Sequence, residues 1–260
     1  MKNRLLFKII LSSSLVLSAL SINDRLTELS NIALAEESGT ISLVQNPQDD
    51  PIGKRVAKLE IPGILTTENC TATMLTPNIG LTAAHCGGGF KQGYVGKVYP
   101  AESGLQTPFG YMDIYLFSPY LEKDLAIIGG KDENKSSDYK YYEKTFAGEE
   151  IKLQPLKDEE YSSLVGKEVY SYGYPYAKSG YKQYKTEGKI TVANKNIIST
   201  NMPAYGGQSG SSLFLKENGR LIGILAASGK NNDNGAFQPI TEDIARWYDD
   251  QVYKFNRPNS

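Results

Sequence analysis

The 260-residue sequence contains a single histidine, and that residue bounds the chemistry available to it. A serine hydroxyl is a poor nucleophile unless a base takes its proton and nearby donors stabilise the oxyanion it creates. Ser209 lies in Tyr205-Gly206-Gly207-Gln208-Ser209-Gly210-Ser211-Ser212. Glycines on either side let the backbone turn tightly and aim amide groups into a cleft. Alone, the pattern is a common Gly/Ser turn. His85, in Leu81-Thr82-Ala83-Ala84-His85-Cys86, is the one imidazole that could serve as base. An acid to orient it is expected between the two. Asp124 stands at the mouth of the apolar run Leu125-Ala126-Ile127-Ile128, where a carboxylate can be held against the ring. Asp113, inside its own strand-like run, is the alternative; Asp132, Asp138 and Asp158 lie in polar stretches and are expected to be solvated. The chemistry so assembled is nucleophilic, through a covalent intermediate on serine.

Chain order narrows the scaffold that must position these groups. The α/β-hydrolases run Ser, acid, His, and the subtilisins Asp, His, Ser. Here the only histidine precedes the serine, and no alternating strand–helix pattern supports either fold. The order His, Asp, Ser belongs to a double β-barrel. The strand pattern agrees with it. Short strands are predicted over 56–61, 70–75, 79–82, 112–117 and 125–128, with Pro77-Asn78 as a turn, and again over 167–172, 183–193, 197–200, 212–215, 221–227 and 236–240. The polar segment 131–150 between the two series reads as a linker or long surface loop. At the C-terminus Thr241 is a candidate N-cap, with Glu242 and Asp243 in the first turn; Ile244, Trp247, Tyr248, Val252 and Phe255 then share one helical face. The fold expected is all-β, two antiparallel barrels with a C-terminal α-helix. Tyrosines clustered at 139–142 and 170–181 are expected on exposed strand faces, with a carbohydrate- or peptide-binding surface as the alternative.

The N-terminus carries Lys2, Arg4 and Lys8 followed by the apolar stretch Ile9 to Ile22, too short and serine-rich for a membrane span. It reads as a secretory signal, 1–35, cut after Ala33-Leu34-Ala35, with cleavage near Ser18 or Ala19 or an uncleaved anchor as alternatives. The remaining segments are a pro-segment or arm over 36–51, barrels over 52–145 and 146–241, and the helix and tail over 242–260. A secreted, extracellular chain with no stable membrane association after signal cleavage is expected. The 28 Lys and Arg against 29 Asp and Glu leave a net charge of −1, which argues against nucleic acid as a partner. The two cysteines, Cys70 and Cys86, read as a disulfide in an oxidising compartment, contributing roughly 3 kcal/mol by restricting the unfolded chain. A metal held by Cys70, His85 and Cys86 lacks the usual ligand spacing, so neither metal nor cofactor is expected.

Thr82-Ala83-Ala84-His85-Cys86, Asp124-Leu125-Ala126-Ile127 and Gly207-Gln208-Ser209-Gly210-Ser211 together resemble the three motifs of the trypsin-like serine proteases. Gly173-Tyr174-Pro175, Gly188-Lys189-Ile190-Thr191, Leu221-Ile222-Gly223-Ile224 and Asn234-Gly235-Ala236 are similar to the bacterial V8-like branch, the likeness extending over about 52–255. The resemblance implies a chymotrypsin-type fold and a polypeptide substrate. Ser209 would attack the scissile carbonyl, His85 shuttle the proton, and Asp124 hold the imidazole. The amides of Gly207 and Ser209 would form the oxyanion hole. Two departures follow. Gln208 replaces the aspartate that, in animal trypsins, pairs with a new N-terminus, so that activation switch is expected to be absent. Leu225 and Ala204 stand where glutamyl members carry His and Thr or Ser, so a pocket drawn from Pro203, Ala204, Leu225, Ala226, Ala227 and Ser228 should favour a medium-sized apolar side chain over glutamate, unless Lys230 reaches in. A monomeric secreted endopeptidase is the reading. Alternatives are a catalytically silent fold serving as a binding module, and an esterase, which would want GxSxG on a strand–helix elbow that Ser211 and the following strand do not supply.

Overall fold

Strands β2 (Val56–Pro62), β3 (Thr67–Met74), β4 (Ile79–Thr82), β5 (Lys91–Pro100), β6 (Met112–Pro119) and β7 (Ala126–Gly129) close into a barrel in the order β2-β3-β4-β7-β6-β5. All neighbours are antiparallel. The structure, a computed structural model, describes residues 38–257 apart from Ile64 and Ala147; the expected signal segment lies outside the described residues. The second barrel comprises β8 (Glu168–Gly173), β9 (Tyr184–Asn194), β10 (Ile197–Thr200), β11 (Ser212–Leu215), β12 (Leu221–Ser228) and β13 (Gly235–Pro239). Its sheet runs β9-β10-β13-β12-β11-β8, and β8 pairs back onto β9 to complete the ring. A further strand, β1 (Thr40–Leu43), adds to β9.

The sequence dictates where the cores sit. Inward side chains such as Leu59, Met74, Val98, Ile114, Phe117 and Ile128 fill the first barrel. Val169, Ile190, Ile198, Leu213, Ile222 and Phe237 fill the second. β4 and β7 are buried at every position, which is why they read as continuous apolar runs rather than alternating ones. Their outward residues Ile79, Leu81 and Ile127 pack with Phe214, Leu221 and Ile224 of the second barrel and Ile244 and Tyr248 of the C-terminal helix in a third core. This shared core sets the barrels against each other, and the cleft follows from it.

Several sequence expectations change. The 131–150 segment is not a plain surface loop: it contains helix α1 (Tyr139–Phe146), which buries Tyr139, Tyr142 and Phe146 at helical spacing in the first-barrel core. Tyr139 and Tyr142 are therefore packed interior groups, as is Tyr174, and not residues of exposed strand faces; Tyr176 and Tyr181 are exposed. The polar arm before 52 supplies β1, and β5 arises where no strand was expected. A short helix, α2 (Tyr161–Leu164), precedes β8, and the expected C-terminal helix is α3 (Glu242–Phe255). Thr241 sits at its cap position with extended backbone, but its hydroxyl makes no hydrogen bond to the helix amides.

Candidate active site

His85 falls in a single 3-10 turn, Ala84–Cys86, directly after β4. Asp124 occupies the turn between β6 and β7, ahead of the buried Leu125. The two loops are adjacent because β4 pairs with β7, Thr82 opposite Ala126. Asp124 then grips His85 twice: Oδ2 lies 2.7 Å from the ring Nδ1, and Oδ1 accepts the His85 backbone N–H at 2.9 Å. A carboxylate is acceptor-only, so Nδ1 is the donor and Nε2 carries the free lone pair. The electrostatics follow the contact. The Asp124 hydrogen bond raises the His85 pKa above 6.5 against the opposing effect of burial, and the nearby carboxylates of Asp124 and Glu68 add to the rise. Burial alone would push the Asp124 carboxyl up, but the hydrogen bonds from the His85 ring and from the His85 and Ala84 amides outweigh it and hold the carboxyl below its usual range. Asp113 lies elsewhere, on β6, in a 2.5 Å ion pair with Lys97 of the neighbouring strand. Asp132, Asp138 and Asp158 are exposed.

Cys70 and Cys86 are joined by a disulfide spanning 16 residues. With both sulfurs bonded to each other, the Cys70–His85–Cys86 grouping offers no thiolate to a metal. The bridge fastens the histidine turn to β3, and β3 carries the next connection. The Thr71 amide donates to the Ser209 carbonyl at 2.8 Å, and the Thr71 hydroxyl donates to the Gly207 carbonyl at 2.8 Å. Ser209 thus sits in the β10–β11 loop, pinned to the first barrel one residue beyond the disulfide.

That loop is shaped by backbone sterics. Gly207 has φ +91° and Gly210 φ +88°, a region that costs side-chain-bearing residues roughly 1–3 kcal/mol. A Cβ at Gly207 would collide with the Tyr174 carbonyl, and one at Gly210 with the Thr71 carbonyl and the Thr82 hydroxyl. Gln208, only 1% exposed, turns its side chain inward and accepts the Tyr205 amide at 2.9 Å. It closes the loop on itself with an uncharged group. The Gly206 carbonyl accepts the Tyr176 amide at 2.8 Å, and the Gln208 carbonyl accepts the Ser211 amide at 2.9 Å. In a trans peptide the N–H points opposite to the carbonyl, so the amides of Gly207 and Ser209 face the other way. Neither donates a hydrogen bond among the described residues. Both amides flanking Gln208 are thus donors without an acceptor among the described residues.

The pocket residues expected from sequence fall beside this loop. Leu225 exchanges hydrogen bonds with it, its carbonyl accepting from Gly210 at 2.9 Å and its amide donating to Ser211 at 2.8 Å. Leu225 and Ala204 both belong to the second-barrel core. A bulge between Leu225 and Ala227 leaves Ala226 unpaired with β13, and Ala227 and Ser228 are exposed at the strand end, as is Lys230 beyond it. Pro203 is half-buried. Sequence reasoning missed Thr71, Glu68 and Tyr176, and noted Gln208 only for lacking charge. The one signal for Thr71 was its place directly after Cys70.

Comparison with known proteins places the chain among relatives. The family model described as Trypsin matches residues 48–248. A glutamyl endopeptidase of Bacillus licheniformis is 28% identical over 205 residues, covering 69% of this chain; the chain spans 59% of that relative's length. A solved structure of a Glu endopeptidase in complex with MPD superposes with a TM-score of 0.65 at 20% identity, covering 84% of this chain and 98% of that one. The protease Anisep from Arthrobacter nicotinovorans gives 0.61 at 15% identity, covering 82% and 100%.

Proposed function

The chain belongs to the trypsin family, and from that membership we propose that it is a serine endopeptidase of the V8-like branch, cleaving polypeptides through an acyl-enzyme on Ser209. The observation that carries the reading is the 2.7 Å hydrogen bond between His85 Nδ1 and Asp124 Oδ2, next to a serine loop held by Thr71. Asp124 fixes the tautomer, so Nε2 takes the proton as the Ser209 oxygen attacks, then returns it to the departing amine. The oxyanion that forms is met by the Gly207 and Ser209 amides, each worth about 10²- to 10³-fold in rate. Water repeats the sequence to release the acid. A fluorophosphonate probe tests this: labelling of the folded chain, lost in Ser209→Ala, is expected. No labelling of folded protein would instead favour a silent fold acting as a binding module.

The B. licheniformis relative is named for glutamate, but we assign this chain a preference for a medium-sized apolar side chain. Ala204 and Leu225 are buried hydrocarbon, and a substrate carboxylate set against them would be left without donors. Peptide-library cleavage dominated by glutamate at the acyl position would overturn the assignment. Export rests on the N-terminal segment read above. Among the described residues no helix is long and apolar enough to cross a membrane, and N-terminal sequencing of the protein recovered from medium would locate the cut.

A further inference from the structure

β3 offers two edges. One pairs along its length with β2, Asn69 opposite Glu60. On an antiparallel strand alternate residues turn their N–H and C=O to the same side, and on the other edge three successive members have different partners. Thr73 pairs with Leu81 of β4. The Thr71 amide donates to the Ser209 carbonyl. Asn69, next in line beyond Ser209, meets no strand. A single side chain satisfies it instead: the Asn69 amide donates to the Tyr176 hydroxyl at 3.1 Å, and that hydroxyl donates to the Asn69 carbonyl at 3.0 Å.

We propose that Tyr176 is a specificity-determining gate on the leaving-group side of the cleft, its phenol occupying the strand-pairing position that the peptide beyond the scissile bond would take at Asn69. The inference rests on the peptidase reading above. The side is fixed by chemistry: the departing amine must reach His85 to receive its proton, and His85 is tied through Cys86 and Cys70 to the residue beside Asn69. The N–H and C=O of one edge residue, once the phenol leaves them, are what an extended peptide uses when it adds to a sheet.

The surroundings permit movement of the side chain alone. Tyr176 is 48% exposed, and its ring lies against Gly206 and Gly180, where side chains at those positions would stand 3.3 and 3.1 Å from it. The far end of the same loop is anchored separately. The Tyr181 carbonyl accepts the Gly104 amide at 2.8 Å, and its ring stacks 3.9 Å from the Lys58 ammonium. Tyr176 can therefore leave Asn69 without releasing the loop.

Two substrates with the same acyl-side residues test the gate. One carries aminomethylcoumarin as the leaving group, and the other is an internally quenched peptide with three residues beyond the cleaved bond. Tyr176→Phe keeps the ring and removes only the hydroxyl. It is expected to raise kcat/KM on the extended peptide about five- to tenfold, the scale of a displaced hydrogen bond, while changing the coumarin substrate less than twofold. Amide exchange at Asn69 should quicken in the same variant. An unchanged ratio between the substrates, or an equal fall on both, overturns the gate while leaving the peptidase intact. Failure of the native chain to cleave the coumarin substrate is a failure of the peptidase reading, and removes the gate with it.

Discussion

The two halves of the cleft are held in place by different physics. The first-barrel half is defined by charge: a carboxylate with two hydrogen bonds to one histidine, in side chains that remain 45% and 30% exposed. The second-barrel half is defined by shape. Its loop uses no ionised group; two left-handed glycines, a buried amide and a set of backbone hydrogen bonds fix it. A charged contact can be removed without moving atoms, and a steric one cannot. The halves should therefore fail differently, the first in rate and pH response, the second in folding.

The largest expected effect separates them. Asp124→Asn should lower kcat about 10⁴-fold, since the amide can donate to Nδ1 and stabilise the wrong tautomer, yet leave the thermal midpoint nearly unchanged. A large fall in that midpoint would show that the carboxylate is structural, and the comparison would break. Gly210→Ala is the converse. Positive φ and collision with the Thr71 carbonyl should cost about 3 kcal/mol, lowering the thermal midpoint by roughly 6–12 °C at 2–4 °C per kcal/mol. Native stability in that variant would mean the loop is less constrained than its contacts imply.

The smallest effect is a shift in pH response. Because Asp124, and secondarily Glu68, raise the His85 pKa, kcat/KM should climb with pH through a midpoint above 6.5 as the imidazole loses its proton. Glu68→Gln should move that midpoint down, by less than the loss of Asp124 does. The stability contributions run with opposite signs. A raised histidine pKa gives stability present below 6.5 and lost as pH rises through the folded value. The lowered Asp124 pKa gives stability present above 3.8 and lost as pH falls through the folded value. Substitution of a shape-defining residue such as Gln208 should leave the pH midpoint where it is.

The same contrast explains what was legible in the sequence. Chemistry-bearing residues announce themselves by type: a lone histidine, an aspartate before an apolar strand, a serine among glycines. Strands β4 and β11 carry apolar runs bounded by turn residues, and their limits match the sequence expectation. β5 was hidden because Gly93, Gly96 and its lysines break the period of two, and its pairing to β6 is interrupted between Gln92 and Gly96. α1 was hidden because Lys, Asp, Glu and Ser crowd the segment around it, although Tyr139, Tyr142 and Phe146 fall at helical spacing. β1 has four residues and exists through its pairing with β9. Thr71 and Tyr176 act through partners far along the chain, at separations of 136 and 107 residues, which no local pattern encodes.

Gln208 has one more consequence. It closes the serine loop with the loop's own neutral amide, which accepts the Tyr205 N–H and offers no charge for a cut terminus to pair with. A ligand that restrains this loop therefore has to match its shape, since the loop presents no charge to neutralise.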